Sequence, residues 1–212
     1  MSPKTSLIHT ILCIAATYKP FGLLCKYGLI MAIFKINMKL KNIKKYLHLY
    51  DIEYTLFNII GPAVKKRGYL TFHDFYKICM WKTRRAKNRY LKNQNCVEQI
   101  TKLAFLEKDE NKKMKILCQF DGVSVPVASA ILTIVYPEEY GIIDIRCLEM
   151  LNALGFEISK HPNIKTWLKF TKIMRKLAKE NEITPRKVDM VLFAMHKEML
   201  DKDNYRSLYN SQ

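Results

Sequence analysis

The sequence predicts an all-α fold, a helical bundle in two lobes, on three observations. From Lys39 onward, apolar residues recur at the spacing of one helix face, and strand-type alternation is missing. Residues that favour helix starts, including proline in the first turn, precede several of these stretches. The chain has 212 residues, 49% of them hydrophobic, which is enough for one sizeable core.

The N-terminal region does not fit this pattern. Residues 7–17 are apolar, but charged residues and a proline interrupt the run before a span of about 20 uncharged residues is reached. We therefore expect no transmembrane helix and no stable membrane association. We expect residues 1–30 to be an apolar appendage outside the fold and residues 31–212 to form the domain. The alternatives are a secretory signal behind Lys4 and a membrane-associated helical protein.

The first predicted helices follow from apolar stripes and capping residues. An amphipathic helix is predicted at 39–50, with its lysines on the face opposite the apolar stripe. Thr71 and Asp74 form a capping-box pattern, which predicts a helix that starts directly after Thr71. Asn95 and Glu98 repeat this pattern before a third helix.

Further helices are predicted in the second half of the chain. A short helix is predicted over 109–120, before a tight turn. Two others, over 162–180 and 185–200, open with proline, because a missing N–H costs little in the first turn. Thr184 is the predicted N-cap of the last helix.

The charge of the chain indicates a polyanionic partner. Lysine and arginine number 36 against 19 aspartates and glutamates, which gives a formal net charge of +17 and an isoelectric point of about 9.6. The segment 81–92 is especially basic and suits phosphate contacts without base specificity. Its candidate DNA-binding residues are Lys82, Arg84, Arg85, Lys87 and Arg89. A solvated helix face is the alternative.

No cofactor and no metal are predicted. The six cysteines are scattered, without a CxxC pattern or a histidine close by, which argues against a zinc site. No cysteine follows Cys147, so the late cysteine-rich loop that holds an iron–sulfur cluster in some enzymes is missing. Scattered cysteines in apolar stretches are typical of reduced, buried thiols in a cytoplasmic protein. No phosphate-binding glycine loop or dinucleotide fingerprint is present.

The most informative stretch is the tight turn within residues 117–136. Two predicted helices flank Gly122, which supplies the positive φ that a short turn needs. The second helix starts directly after the turn, so its first N–H groups lack internal partners and, with the helix dipole, form a site for a phosphate. The predicted phosphate contacts are Gly122, Val123, Ser124 and Val125. An ordinary corner between two helices is the alternative.

This stretch resembles the helix-hairpin-helix superfamily of base-excision DNA glycosylases. The hairpin pattern of that superfamily is matched by Leu117, Phe120, Gly122, Val123 and Ala128. The aspartate element that opens the next helix is matched by residues 140–146, with Asp144 as the aspartate. The specific match covers 117–155. The resemblance implies a glycosylase-like fold, double-stranded DNA as partner and Asp144 as the catalytic residue. We expect a monomer in the cytoplasm, associated with the nucleoid in a prokaryote.

Two positions depart from the superfamily pattern. Ser124 replaces the second hairpin glycine, so the backbone sits less close to a phosphate, although serine can cap the following helix. Pro126 stands where members with lyase activity carry a lysine nucleophile, and proline has no amine for a Schiff base. The resemblance then implies a monofunctional glycosylase, which releases a damaged or mispaired base with water. A helix-hairpin-helix protein that binds DNA without chemistry is the alternative.

Asp144 has two interpretations that are compatible with each other. The resemblance implies a carboxylate that stabilises positive charge on the deoxyribose, while its position before residues 145–154 predicts a helix N-cap. A target base must leave the duplex to be reached. Trp81, Tyr76 and Tyr140 are candidates for stacking on that base or filling the gap it leaves. An aromatic on an amphipathic helix is otherwise a core residue.

Overall fold

Nine α-helices and no strand make up the residues that the computed structural model describes, 53–209, with side chains up to Met199. The all-α prediction is therefore confirmed. The helices are α1 (Gly61–Arg67), which continues the π-helical segment Thr55–Ile60, α2 (Phe72–Lys82), α3 (Lys87–Leu91), α4 (Val97–Leu106), α5 (Glu110–Leu117), α6 (Val125–Val135), α7 (Ile145–Ala153), α8 (Ile164–Glu180) and α9 (Pro185–Tyr209). The predicted appendage, 1–30, and the predicted helix at 39–50 lie outside the described residues.

Polar side chains cap the starts of several helices. Thr71 caps α2 in a complete capping box with Asp74, as predicted. Thr184 accepts a hydrogen bond from a first-turn amide of α9 at 3.3 Å, also as predicted. The N-cap of α8 is Asn163, so Pro162 stands before that helix and the predicted start at residue 162 is wrong. An asparagine side chain can accept a hydrogen bond from a free first-turn amide, which proline cannot do.

The capping box predicted at Asn95 and Glu98 is wrong. α4 begins at Val97, and the residue before it, Cys96, makes no side-chain cap bond. The stretch before α4 is closed by backbone hydrogen bonds instead, since the Cys96 amide donates to the Asn93 carbonyl at 3.0 Å. A turn with its own backbone bonds needs no capping side chain, and Asn95 is left exposed.

α6 is the central helix of the described fold. Every residue of this helix except Pro126 is buried, and it packs against α1, α2 and α5. The contact with α1 depends on Gly61, because a Cβ atom there would lie 2.2 Å from the carbonyl oxygen of Ile134. A helix that is apolar on all sides is stable only when other helices surround it, so α6 sets the positions of its neighbours.

A second group of helices, α7, α8 and α9, packs beside the first. α7 and α8 both pack against α9, and α8 also contacts α5. Trp167 of α8 is fully buried and stacks on Tyr140, with the ring centroids 5.9 Å apart. The segment 136–144, which contains Tyr140, connects α6 of the first group to α7 of the second.

One buried asparagine holds the turn between α5 and α6 to α3. Asn93 is 4% exposed; its side chain donates to the carbonyl of Asp121 at 3.0 Å and accepts from the amide of Asp121 at 2.8 Å. Gly122 packs closely here, because a Cβ atom on it would lie 3.0 Å from the Cβ atoms of Ala86 and Arg89. These contacts fix the orientation of the turn relative to α3.

Replacing Asn93 by alanine should destabilise the fold by about 1–2 kcal/mol, because two hydrogen bonds to the backbone of Asp121 are lost while water can reach that exposed residue. Urea unfolding followed by circular dichroism measures the change. Asn95→Ala is the control, since Asn95 is exposed, and it should change the free energy of unfolding by less than about 0.5 kcal/mol. Equal stability of the two variants would show that the turn does not depend on Asn93.

Candidate functional site

A cavity of about 230 Å³ lies where the two groups of helices meet. Its walls come from the end of α2, from the segment before α7 and from one face of α9. The lining residues are Glu53, Trp81, Lys82, Ile142, Asp144, Cys147, Arg186, Asp189 and Phe193. This lining combines acidic and basic side chains with aromatic rings, so charge and a stacking surface are available in one place.

Asp144 links this cavity to the start of α7. Its Oδ1 accepts a hydrogen bond from the Cys147 amide at 3.0 Å, which makes Asp144 the N-cap of α7, as predicted. Its Oδ2 lies 3.6 Å from the Nζ of Lys82. The side chain of Asp144 is 25% exposed and that of Lys82 is 16% exposed. One carboxylate oxygen is thus committed to the helix, and the other faces a cation inside the cavity.

A buried carboxyl group fixes the segment before Asp144. Asp189 of α9 accepts a hydrogen bond from the Ile142 amide at 2.6 Å, and its other oxygen pairs with Arg186. Arg186 also pairs with Glu53. Burial raises the pKa of Asp189 to about 7, although the nearby Arg186 acts in the opposite direction. Burial likewise raises the pKa of Glu53 against the effect of Arg186.

The structure brings one of the three predicted base-contacting aromatics to the cavity. Trp81 lines it, together with Phe193 of α9, which the sequence did not single out. Tyr140 is only 2% exposed and stacks on Trp167, so it is a core residue and not a wall of the cavity. Tyr76 packs beside another ring of α2 and does not line the cavity either.

The turn after α5 presents free backbone amides. Gly122 adopts a φ of +81°, the left-handed conformation predicted for it. Within the described residues, the amides of Gly122, Ser124 and Val125 have no hydrogen-bond partner. The amide of Val123 is already used, because it donates to the Phe120 carbonyl at 3.1 Å. Ser124 stands at the N-cap of α6, but its side chain makes no cap bond, so the expected serine cap is missing.

The basic segment divides into an exposed part and an enclosed residue. Four of its predicted DNA contacts are exposed, namely Arg84, Arg85, Lys87 and Arg89. This part lies beside the turn, because Gly122 packs against Ala86 and Arg89. Lys82 differs, since it lines the cavity next to Asp144. The structure therefore moves Lys82 from the predicted surface to the candidate site.

Sequence reasoning missed the wall of the cavity that α9 forms. Arg186, Asp189 and Phe193 recur at helical spacing among the apolar residues that bury this helix. A charged pair inside an apolar stripe was the available signal, because ionised side chains are rarely buried unless they are paired. Glu53 gave no local signal, since its partner Arg186 lies 133 residues away in the sequence.

The raised pKa of Asp189 predicts a contribution to stability that falls as the pH rises. A carboxyl group with a folded pKa of about 7 and an unfolded value of 3.8 stabilises the fold below pH 3.8, and this contribution is lost as the pH rises through 7. Asp189→Asn lacks this titration, so its free energy of unfolding should rise relative to that of the native chain between these pH values. Chemical unfolding at a series of pH values measures the difference. A trend in the opposite direction would show that Arg186 lowers the pKa of Asp189 by more than burial raises it.

No known protein family, no curated protein and no solved structure matches this chain. Among the side chains that the structure describes, within 53–199, no group of three or more from His, Cys, Asp and Glu is placed to hold a metal ion. Within the described helices of residues 53–209, none combines the length and the apolar character needed to cross a membrane. The function is therefore inferred from the geometry of the cavity and of the turn.

Proposed function

We propose that this chain is a DNA-binding base-excision repair protein, a DNA N-glycosylase that hydrolyses the bond between a damaged or mispaired base and deoxyribose. The observation that carries the proposal is the position of Asp144, which is held by the start of α7 while its Oδ2 faces the cavity. The sequence resemblance selected this residue independently of any cavity. The enzyme acts as a cytoplasmic monomer on double-stranded DNA and needs no cofactor.

The surroundings of Asp144 suit the cleavage of an N-glycosidic bond. Positive charge builds up on the sugar as this bond breaks, and a carboxylate stabilises that charge better in a partly enclosed cavity than in bulk water. The same carboxylate can orient and deprotonate the attacking water. The hydrogen bond from the Cys147 amide fixes the carboxylate before DNA binds. Pro126 leaves the turn without an amine, so water is the nucleophile that releases the base.

The cavity has the size of a single base. Its volume of about 230 Å³ exceeds the roughly 150 Å³ that accommodates benzene and falls below the roughly 300–1,000 Å³ typical of sites for larger ligands. Trp81 offers a ring for stacking, and Glu53 offers a carboxyl group for hydrogen bonds to a base edge. An extruded base can thus be held next to Asp144 while the rest of the DNA stays outside.

The surface beside the cavity suits a DNA backbone. The free amides of the turn and the positive end of α6 form a site for a phosphate, and the exposed cations of the basic segment add attraction to any sequence. The turn lies close to the cavity, since the chain from Lys82 to Ala86, which contacts Gly122, spans at most about 14 Å. About four base pairs of duplex cover that distance.

A non-catalytic helix-hairpin-helix protein that binds DNA is the second candidate. The ion pair between Asp144 and Lys82 favours it, because a neighbouring cation neutralises the carboxylate proposed to act on the sugar. The proline at position 126 favours it as well, since it removes the other reactive group known from the superfamily. In this case the turn and the basic segment bind DNA, and Asp144 is a helix cap alone.

Release of a base by the full chain distinguishes the two candidates. The chain is incubated with duplexes that carry uracil, alkylated purines, 8-oxoguanine or mismatches, and abasic sites are revealed with alkali. Asp144→Asn should lower the yield of abasic sites by about 100-fold or more while DNA binding persists, because asparagine keeps the cap bond and removes the charge.

The matched control for this experiment is Asp109→Asn. Asp109 caps α5 in the same way, by accepting a first-turn amide at 2.8 Å, but it does not line the cavity. The control should therefore release bases at the rate of the native chain. A panel that yields no abasic site with the native chain, although DNA binds, would contradict the glycosylase proposal and support the second candidate.

A negative charge at the start of α6 should weaken DNA binding without harming the fold. Ser124 is exposed and stands at the N-cap, where aspartate is favourable for the helix dipole. Ser124→Asp should keep or raise the melting temperature and lower the affinity for every duplex about tenfold, because its carboxylate repels the phosphate. Fluorescence anisotropy at fixed salt measures the affinity, with Ser124→Asn as the neutral control. Equal affinity of the two variants would remove the turn from the DNA site.

A further inference from the structure

The outer face of α8 carries a continuous row of cations. Every exposed residue of this helix is a lysine, except Glu180 at its end. These residues form the lysine row: Lys165, Lys169, Lys172, Lys176 and Lys179. At 3.6 residues per turn they fall within a sector of about 80° around the helix axis, opposite buried residues such as Trp167 and Met174. The ammonium groups therefore lie along one side of the helix, away from the core.

The lysine row does not stabilise α8 itself. Neighbours in the row are three or four residues apart, so like charges face each other along the helix and repel. Lys165 stands in the first turn, near the positive end of the helix dipole, where a cation is unfavourable. Among the residues that the structure describes, only Lys176 of the row has an ion-pair partner, since its Nζ lies 3.9 Å from Glu180. Most of the row thus lacks a counter-charge from this part of the chain.

The solvent-facing surface of another helix shows that such a row is not a general property of the fold. The exposed residues of α4 are of mixed character, namely Glu98, Gln99, Lys102, Leu103 and Leu106. A surface of one charge sign attracts ions and molecules of the opposite sign and raises their local concentration. The partner that complements the lysine row is therefore a polyanion.

We propose that the lysine row binds the phosphate backbone of double-stranded DNA and forms a second DNA-binding surface. From Lys165 to Lys179 the helix rises about 21 Å, which matches about six base pairs of duplex. A lysine ammonium is a point charge without the planar fork of arginine, so the row suits phosphates and not base edges. A membrane surface fits less well, because α8 exposes no apolar side chain beside the lysines that could enter lipid.

The lysine row is separate from the turn that is proposed to bind a phosphate. Arg175 of α8 pairs with Glu110 at 2.6 Å, at the start of α5, whereas the turn follows the end of α5. About 10 Å of helix separates these two points. Arg175 also donates to the Glu139 carbonyl at 3.0 Å, so this arginine is held against the fold and does not belong to the row. The inference depends neither on the turn nor on release of a base.

Removal of charge from the lysine row tests the proposed surface. The variant with Lys165→Gln, Lys169→Gln and Lys172→Gln replaces three cations by a residue of similar helix propensity. Each lost phosphate contact lowers the slope of log affinity against log salt by about 0.9, so the slope for an undamaged duplex of about 20 base pairs should fall by about 2–3. The affinity at physiological salt should fall about tenfold or more. The melting temperature should stay equal or rise, because repulsion within the row is relieved.

The matched control removes the same charge from other exposed lysines. It combines Lys77→Gln, Lys102→Gln and Lys108→Gln, which lie outside the lysine row. Fluorescence anisotropy over a series of salt concentrations measures all three proteins, and the slope of the control should change by less than about 1. An equal loss of slope in both variants would show a diffuse attraction that depends on net charge alone, and would overturn the proposal.

Acetylation of the native chain tests the lysine row without any substitution. An amine-acetylating reagent is applied with and without the duplex, and mass spectrometry measures the extent of modification at each lysine. Lys169 and Lys172 should be protected by DNA, whereas Lys77 and Lys102 should be modified to the same extent in both samples. Full modification of Lys169 and Lys172 in the presence of saturating DNA would overturn the proposal.

The same measurement on Ser124→Asp separates the lysine row from the turn. Protection of Lys169 and Lys172 should persist in this variant, and its loss would show that the row has no affinity of its own. Protection without release of a base from any lesion would reject the glycosylase proposal and retain the second surface. Vesicles of phosphatidylserine and phosphatidylcholine replace the duplex in a last sample. Protection by these vesicles, and not by DNA, would make lipid the partner and overturn the proposal.

Discussion

The two oxygens of Asp144 have different tasks, and the candidate site depends on this division. Oδ1 accepts the hydrogen bond of the Cys147 amide, one of the first-turn amides of α7 that need an acceptor outside the helix. Oδ2 stays in the cavity, opposite the amine of Lys82. Because the first oxygen is anchored, the carboxylate cannot rotate freely, and its charge is held in place before any ligand arrives. The helix cap thereby holds a carboxylate rigidly in the cavity.

The position of Asp144 depends in turn on charges buried against α9. Asp189 accepts the Ile142 amide two residues before Asp144, and Arg186 pairs with both Asp189 and Glu53. Burying ionisable groups costs several kcal/mol for each ion unless they are paired, and an apolar wall of equal volume is often as stable or more stable. The network of Asp189, Arg186 and Glu53 therefore contributes more to positioning the backbone than to stability. It fixes the backbone that leads into the cap, and it lines the cavity with polar atoms.

The sequence predicts those features whose signal is local. The helical class follows from periodicity within single segments, and the positive φ of Gly122 and the cap role of Asp144 each depend on a few neighbouring residues. The errors at Asn95 and Pro162 are local, since a backbone hydrogen bond closes the stretch before α4 and Asn163 caps α8. The contacts that the sequence does not show join distant segments. Asn93 holds the turn after α5, but its partner Asp121 lies 28 residues away. In the sequence, Lys82 looks like one more surface cation of the basic segment. Nothing within that segment shows that α2 ends next to the start of α7, where Lys82 meets Asp144.

The corner between α2 and α3 connects the surface proposed for DNA with the cavity. Trp81 and Lys82 line the cavity, while Ala86, at the other end of the corner, contacts Gly122 of the turn. Since Asn93 fastens the turn to α3, a phosphate bound at the free amides is held by the same rigid unit that carries one wall of the cavity. In the proposed function, contacts with the DNA backbone hold a base and its sugar in place, which is how binding far from a reacting bond contributes to catalysis. The short segment from Lys82 to Ala86 therefore joins the proposed phosphate site at the turn to the cavity in which the proposed chemistry takes place.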